Sequence, residues 1–177
     1  MRVIGGRFRG RTLKTLPGNR VRPTPDRLRQ SLFDILAPLV EGAVFVDAYA
    51  GSGAVGIEAL SRGAREVIFV EADPRAAAVI EENLRKIGVR EGYRIIRRKT
   101  ASVLPQLKAD ILFMDPPYSY EQEYDRVLRS LRADQFGLVI VQHAAEVALH
   151  HRYGFYTRTR EVKQGGNILS FYEPSTP

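Results

Sequence analysis

Short apolar runs at residues 43–46, 67–70, 93–96, 111–114 and 138–141 recur along the chain, with segments of helical pattern at 55–60 and 76–87 after the first two. No other feature constrains the fold as tightly. A strand that alternates apolar and polar residues can leave one face in water, whereas a continuous apolar run must be covered on both faces. Such runs joined by amphipathic helices specify a parallel sheet held between helical layers. Residues 155–163 and 168–172 depart from the pattern. Both are β-prone, and Gly165-Gly166-Asn167 joins them too tightly for a crossover, so they form a hairpin that adds an antiparallel edge. With 177 residues and no internal repeat or second core, the chain accommodates one α/β domain of Rossmann-like type.

The segment before the sheet differs in composition. Residues 2–16 set Gly5-Gly6 and Gly10 between short β-prone pieces, reading as a small ribbon, and Pro17-Gly18-Asn19 is a turn cluster. Thr24 is placed to N-cap a helix, with Pro25 in its first position and Asp26 in its first turn; Leu28, Leu32, Ile35, Leu36 and Leu39 supply its apolar face. The net charge of +7 is concentrated here: residues 1–33 carry nine Arg or Lys and only Asp26 as an acid. The chain thus divides into a basic ribbon, 1–23, and a domain, 24–177. A ribbon so charged suits a phosphate backbone; the alternative is a solubilising surface. There is no Cys, which excludes disulfides and thiolate metal sites. The start, Met1-Arg2-Val3-Ile4-Gly5-Gly6, is too polar for a signal peptide, and no apolar run approaches the roughly 18–20 residues of a membrane helix. A soluble cytoplasmic protein is expected.

The first apolar run leads into Asp47-Ala48-Tyr49-Ala50-Gly51-Ser52-Gly53-Ala54-Val55-Gly56, where glycines at G-x-G-x-x-G spacing permit a tight strand-to-helix turn and close approach of a ligand. Glu71, ending the second run, is placed to hold ribose hydroxyls, while Asp73-Pro74 reads as an N-cap followed by a first-turn proline. These glycines alone leave dinucleotide binding, methyl-donor binding and an empty turn at comparable standing. Asp47 separates them. A carboxylate at the end of the first strand repels a pyrophosphate and attracts a cationic sulfonium.

After residues 111–114 come Asp115-Pro116-Pro117-Tyr118, at the strand end where open α/β sheets bind ligands. The prolines stiffen the loop before substrate arrives. An exocyclic amine is a poor nucleophile because its lone pair is delocalised into the ring. Asp115 and the Pro116 carbonyl can accept its two hydrogens and turn the lone pair toward a methyl group. Tyr118 offers a face for stacking the base, worth roughly 1–3 kcal/mol by analogy with single-strand binders. A paired base must first be flipped out or lie in a single-stranded loop.

Together these motifs resemble class I methyltransferases, and more narrowly the bacterial small-subunit ribosomal RNA guanine-N2 methyltransferase family (RsmD-like). The resemblance runs through Arg2-Val3-Ile4-Gly5-Gly6, Arg22-Pro23-Thr24 with Asp26-Arg27, Ser31-Leu32-Phe33, Ala50-Gly51-Ser52-Gly53, Glu58-Ala59-Leu60-Ser61-Arg62-Gly63-Ala64 and Asp115-Pro116-Pro117-Tyr118. It implies a seven-stranded sheet ending in the hairpin, S-adenosylmethionine as donor, and a guanine of 16S rRNA as acceptor, in an assembled or assembling small subunit. Two departures stand out. Relatives commonly carry Asp-Ala after the third strand to meet the donor's adenine, where this chain has Lys99-Thr100-Ala101. An acid after the fifth strand is replaced by Gln142-His143.

The expected donor site is Asp47, Ala50, Gly51, Gly53, Glu71, Ala72, Thr100, Ala101 and Asp115. Asp115, Pro116 and Tyr118 carry the chemistry. Arg7, Arg9, Arg11, Arg20, Arg22, Thr24 and Arg27, with Pro117 and Tyr118, hold the RNA. No metal, no membrane and a monomeric chain are expected. His143, His150 and His151 lack carboxylate partners at metal-ligand spacing and read as surface or helix-end residues, and Arg62 as a cation at a helix end. Tyr120 and Tyr124 fit the rim of the base site or the core equally well. Three alternatives remain: an adenine-N6 methyltransferase, a nicotinamide-dependent oxidoreductase, and a non-enzymatic RNA-binding assembly factor.

Overall fold

The computed structural model describes residues 1–17, 24–117 and 121–176. Its elements are α1 (Asp26–Val40), β1 (Val44–Ala48), α2 (Ala54–Ser61), β2 (Glu66–Val70), α3 (Pro74–Lys86), β3 (Tyr93–Ile96), α4 (Thr100–Val103), β4 (Ala109–Met114), α5 (Glu121–Ser130), β5 (Phe136–Ala144), β6 (Arg152–Tyr153), β7 (Tyr156–Gln164) and β8 (Asn167–Pro174). They build one sheet in the order β3-β2-β1-β4-β5-β8-β7-β6. Strands β1 to β5 are parallel, and β8, β7 and β6 follow as antiparallel neighbours.

All five apolar runs are strands and the C-terminal hairpin is present. The sheet nevertheless has eight strands, not seven. The additional one, β6, is a two-residue edge pairing Arg152 with Thr157 and Tyr153 with Tyr156. A strand this short has no periodicity to read. What holds it is Tyr153, fully buried, whose hydroxyl donates to Asp125 at 2.9 Å and whose ring meets Tyr172 edge-on.

The two sheet faces are covered separately, as continuous apolar strands require. One core gathers α1, α2, α3 and the N-terminal ribbon around Phe45, Phe69 and Ile140; Val3, Phe8 and Leu13 of the ribbon are buried in it. The other gathers α5 and the C-terminal strands around Val46, Leu112 and Val139. In the ribbon, Arg2 and Thr12 form an antiparallel bridge.

Helix α1 corrects two expectations. Pro25, not Thr24, occupies the N-cap, and no side chain caps the helix. The Thr24 hydroxyl is buried and bonds Gln142 Oε1 at 3.3 Å, which removes it from the helix end. Leu39 is 53% exposed, while Phe33 and Val40 join Leu28, Leu32 and Leu36 in the core. Asp73 does cap α3, its side chain accepting from the Arg75 amide, with Pro74 in the first turn. Among the described residues no helix is long and apolar enough to cross a membrane.

Candidate active site at the carboxyl edge of the sheet

Strand register brings the site together. Ala48 pairs with Val70 on one side and Met114 on the other, so β1, β2 and β4 end level. The residues that follow, Tyr49, Glu71 and Asp115, therefore emerge side by side, as the edge of a parallel sheet demands.

Gly51 and Gly53 turn the chain from β1 into α2 with φ of 58° and 84°, left-handed values that residues with a side chain seldom adopt. Gly56 serves another purpose. A methyl there would overlap the Phe69 ring and approach Val67 Cγ1 to 2.9 Å, so its absence sets how closely α2 lies on β2. Three carboxylates hold this loop or adjoin it. Asp47 is buried and accepts the Gly56 amide proton at 2.9 Å. Glu71 is half-buried and accepts from the Gly51 and Asp73 amides at 2.8 and 2.9 Å. Asp115 is half-buried at the end of β4, followed by buried Pro116 and exposed Pro117.

Burial raises all three carboxyls. Asp47 lies well above its ordinary range, chiefly by desolvation, with the Gly56 amide opposing and the charges of Asp115 and Glu71 adding to the rise. Desolvation also raises Glu71, against the amides of its own loop and Gly51. Asp115 is pushed up to about 7 by burial. Three acids that repel one another in a low-dielectric edge favour a cationic ligand. They disfavour a pyrophosphate, whose charge they would repel.

Thr100 is buried at the start of α4, beside half-buried Ala101. Ala50 is buried in the loop and Ala72 is exposed beside Glu71. Asp47, Ala50, Gly51, Gly53, Glu71, Thr100 and Asp115 are thus drawn to one edge. The ribbon arginines are not. Arg7 donates its amide to Ser61 O at 2.8 Å, at the far end of α2, about 12 Å from the glycine loop at 1.5 Å per residue. Arg7 and Arg9 are exposed, Arg7 lying over the Phe8 ring, and Arg11 donates to the Lys86 carbonyl. Arg27 is exposed on α1. Tyr118, Tyr120, Arg20 and Arg22 lie outside the described residues.

His143 is not a surface residue. It is buried in β5, with Nε2 on Ser170 Oγ at 2.8 Å, and burial lowers its basicity. Tyr124 belongs to the core, its ring edge-on to His143. Gln142, in the place of the expected acid, is buried and is the partner of Thr24. Among the described residues no three His, Asp or Glu side chains group as metal ligands.

The sequence reading missed four polar residues that organise the site. Tyr49 is the only described residue other than glycine with positive φ, and its hydroxyl donates to Glu123 at 2.8 Å. Glu58 and Ser61, buried on α2, hold the ribbon. Asn83 on α3 bonds Lys14 through both amide atoms and donates to the Ser52 carbonyl of the glycine loop. A signal existed for Glu58 and Ser61: they are polar positions on an otherwise apolar helix.

A family model described as conserved hypothetical protein 95 matches residues 1–173. A Bacillus subtilis (strain 168) protein named "Putative rRNA methyltransferase YlbH" is 33% identical over 98% of both chains. The Escherichia coli (strain K12) protein named ribosomal RNA small subunit methyltransferase D is 38% identical over 67% of this chain and 60% of its own length. Among solved structures, Escherichia coli yhhF superposes with a TM-score of 0.86 at 30% identity, covering 98% of this chain and 97% of that one.

Proposed function

The chain belongs to the conserved hypothetical protein 95 family, and we propose that it is an S-adenosylmethionine-dependent rRNA methyltransferase acting on the exocyclic N2 of a guanine in 16S rRNA. The observation that carries this reading is the ring of Asp47, Glu71 and Asp115 around a left-handed glycine loop, beside the rigid Asp115-Pro116-Pro117. Relatives named for ribosomal RNA methylation support the substrate class.

When bound, the donor supplies an electrophilic methyl on a positively charged sulfur. Glu71 and the loop backbone at Gly51 and Gly53 hold its ribose and amino-acid portion, Asp47 fixes the loop through Gly56, and Thr100 with Ala101 lines the adenine side. Asp115 and the Pro116 carbonyl accept the two amino hydrogens of guanine, and Tyr118 stacks the base. As the nitrogen–carbon bond forms and the methyl's bond to sulfur breaks, leaving a neutral thioether, the nitrogen sheds a proton. Asp115, with its carboxyl pushed up to about 7, is suited to receive it. The 1–23 ribbon grips RNA at a distance from the chemistry through Arg7, Arg9, Arg11, Arg20 and Arg22, with Arg27 on the 24–177 domain.

Incubating the chain with S-adenosylmethionine and either small subunits or naked 16S rRNA, then analysing nucleosides by mass, tests the proposal. N2-methylguanosine is the expected product, in greater yield on subunits. N6-methyladenosine would replace the guanine assignment, and binding without any methyl mark would leave an assembly factor. Thermal stabilisation by NAD but not by S-adenosylmethionine would point to an oxidoreductase.

A further inference from the structure

The half-buried Tyr49 side chain joins the glycine loop to α5, a link that the sheet itself does not make. Ala48 and Met114 are paired across β1 and β4, and beyond that pair the chains part. One enters the glycine loop through Tyr49; the other continues into Asp115-Pro116-Pro117, and α5 begins at Glu121. The Tyr49 hydroxyl donates to Oε1 of Glu123, in the first turn of α5, at 2.8 Å. Its ring packs against the core under α5.

The backbone at Tyr49 has φ of 57°, a left-handed value that strains a side-chain-bearing residue and persists only where the surroundings over-determine it. Glycine would relieve that strain but would supply neither ring nor hydroxyl. Desolvation, with the Glu123 carboxylate next, raises the hydroxyl's pKa, so it remains a donor at any working pH. Glu123 is held in turn by the Arg126 guanidinium at 3.9 Å.

We propose that Tyr49 and Glu123 are positioning residues: their hydrogen bond ties the glycine loop to α5, the helix that follows Asp115-Pro116-Pro117 in the chain, and so sets the line of methyl transfer. This rests on the function proposed above. Neither residue touches the reacting atoms. They act through the backbone of Ala50 and Gly51 on one side and through α5 on the other. Small errors in such a link lower the rate of an in-line transfer without weakening donor binding.

Two readouts separate this from the reading on which it rests. In the chain alone, Tyr49→Phe keeps the ring and loses the bond. Hydrogen exchange should rise about tenfold in residues 50–53 and 121–124 together, with α3 unchanged. In single-turnover methylation, Tyr49→Phe and Glu123→Ala should each lower the rate about tenfold, with donor Kd within twofold of the parent. The double variant should be no slower than either single one, and Glu123→Gln, which retains an acceptor, should recover most of the rate. Unchanged exchange in both segments overturns the proposal whether or not the parent methylates RNA. A parent that transfers no methyl, with coupled exchange intact, overturns the methyltransferase reading alone. A rate and a donor affinity that fall together in Tyr49→Phe would make the bond merely structural and also overturn the proposal.

Discussion

Glu58 accepts the amide proton of Gly5 at 2.8 Å, and through its other oxygen that of Ile4 at 2.9 Å. The carboxylate is fully buried and pairs with Arg62 at 3.0 Å. Nearby, buried Arg29 donates to the Arg2 carbonyl and to Asp26. The basic ribbon is thus fastened to α2 by charge as well as by Val3, Phe8 and Leu13. Glu58→Gln keeps the shape but leaves buried Arg29 and half-buried Arg62 short of a counter-charge, and should cost about 3 kcal/mol. Denaturant unfolding measures this. A loss below 1 kcal/mol would show that apolar contacts alone hold the ribbon.

Arg7 and Arg9 are exposed on that ribbon, away from the glycine loop. Replacing both with Ala should leave donor affinity unchanged while weakening RNA binding. The slope of log K against log salt should become shallower by about 1–2 units, since each single-strand phosphate contact contributes roughly 0.7. An unchanged slope would remove these arginines from the RNA interface.

Asp115 gives a pH dependence with a definite sign. Its carboxyl in the free protein is pushed up to about 7, so the acceptor form grows as pH rises. Methylation kcat/KM should climb tenfold per unit below about 7 and level above it. Asp115→Ala should abolish transfer while nearly preserving donor binding; equal loss of both would make the residue structural.

The same shift affects stability in the opposite sense. Between the unfolded value near 4 and the folded value near 7, the native state binds more protons than the unfolded state, so folding weakens as pH rises through this window. Asp115→Asn removes the penalty. It should match the parent near pH 4 and exceed it above pH 7 by up to about 4 kcal/mol, three pKa units at about 1.4 kcal/mol each. Identical unfolding curves at pH 8 would contradict the burial argument.

Gly56→Ala places a methyl against Phe69 and Val67, both fully buried. The overlap should cost about 1–3 kcal/mol and push α2 off β2. Since Asp47 binds the Gly56 amide, donor affinity should fall with stability; calorimetric titration at full folding distinguishes the two effects.

The sequence alone determined the sheet, the loop and the cap. Four buried strands and the half-buried edge strand β3, the C-terminal hairpin, the glycine turn after β1 and the Asp73 cap of α3 all follow from rules acting over a few residues. Periodicity, turn chemistry and capping are local, and a chain states them in order. Tertiary structure decided the rest. Thr24 forsakes its helix for Gln142, 118 residues away; Glu58 meets Gly5 across 53, and Tyr49 meets Glu123 across 74. Nothing local signals such pairs, because a buried polar group takes whichever partner the packed elements bring within reach, and only the register of β1 against β2 and β4 fixes which elements those are. The site's carboxylates were legible as residues, but their raised pKa values were not: these arise from burial and mutual proximity, which exist only once the sheet has formed.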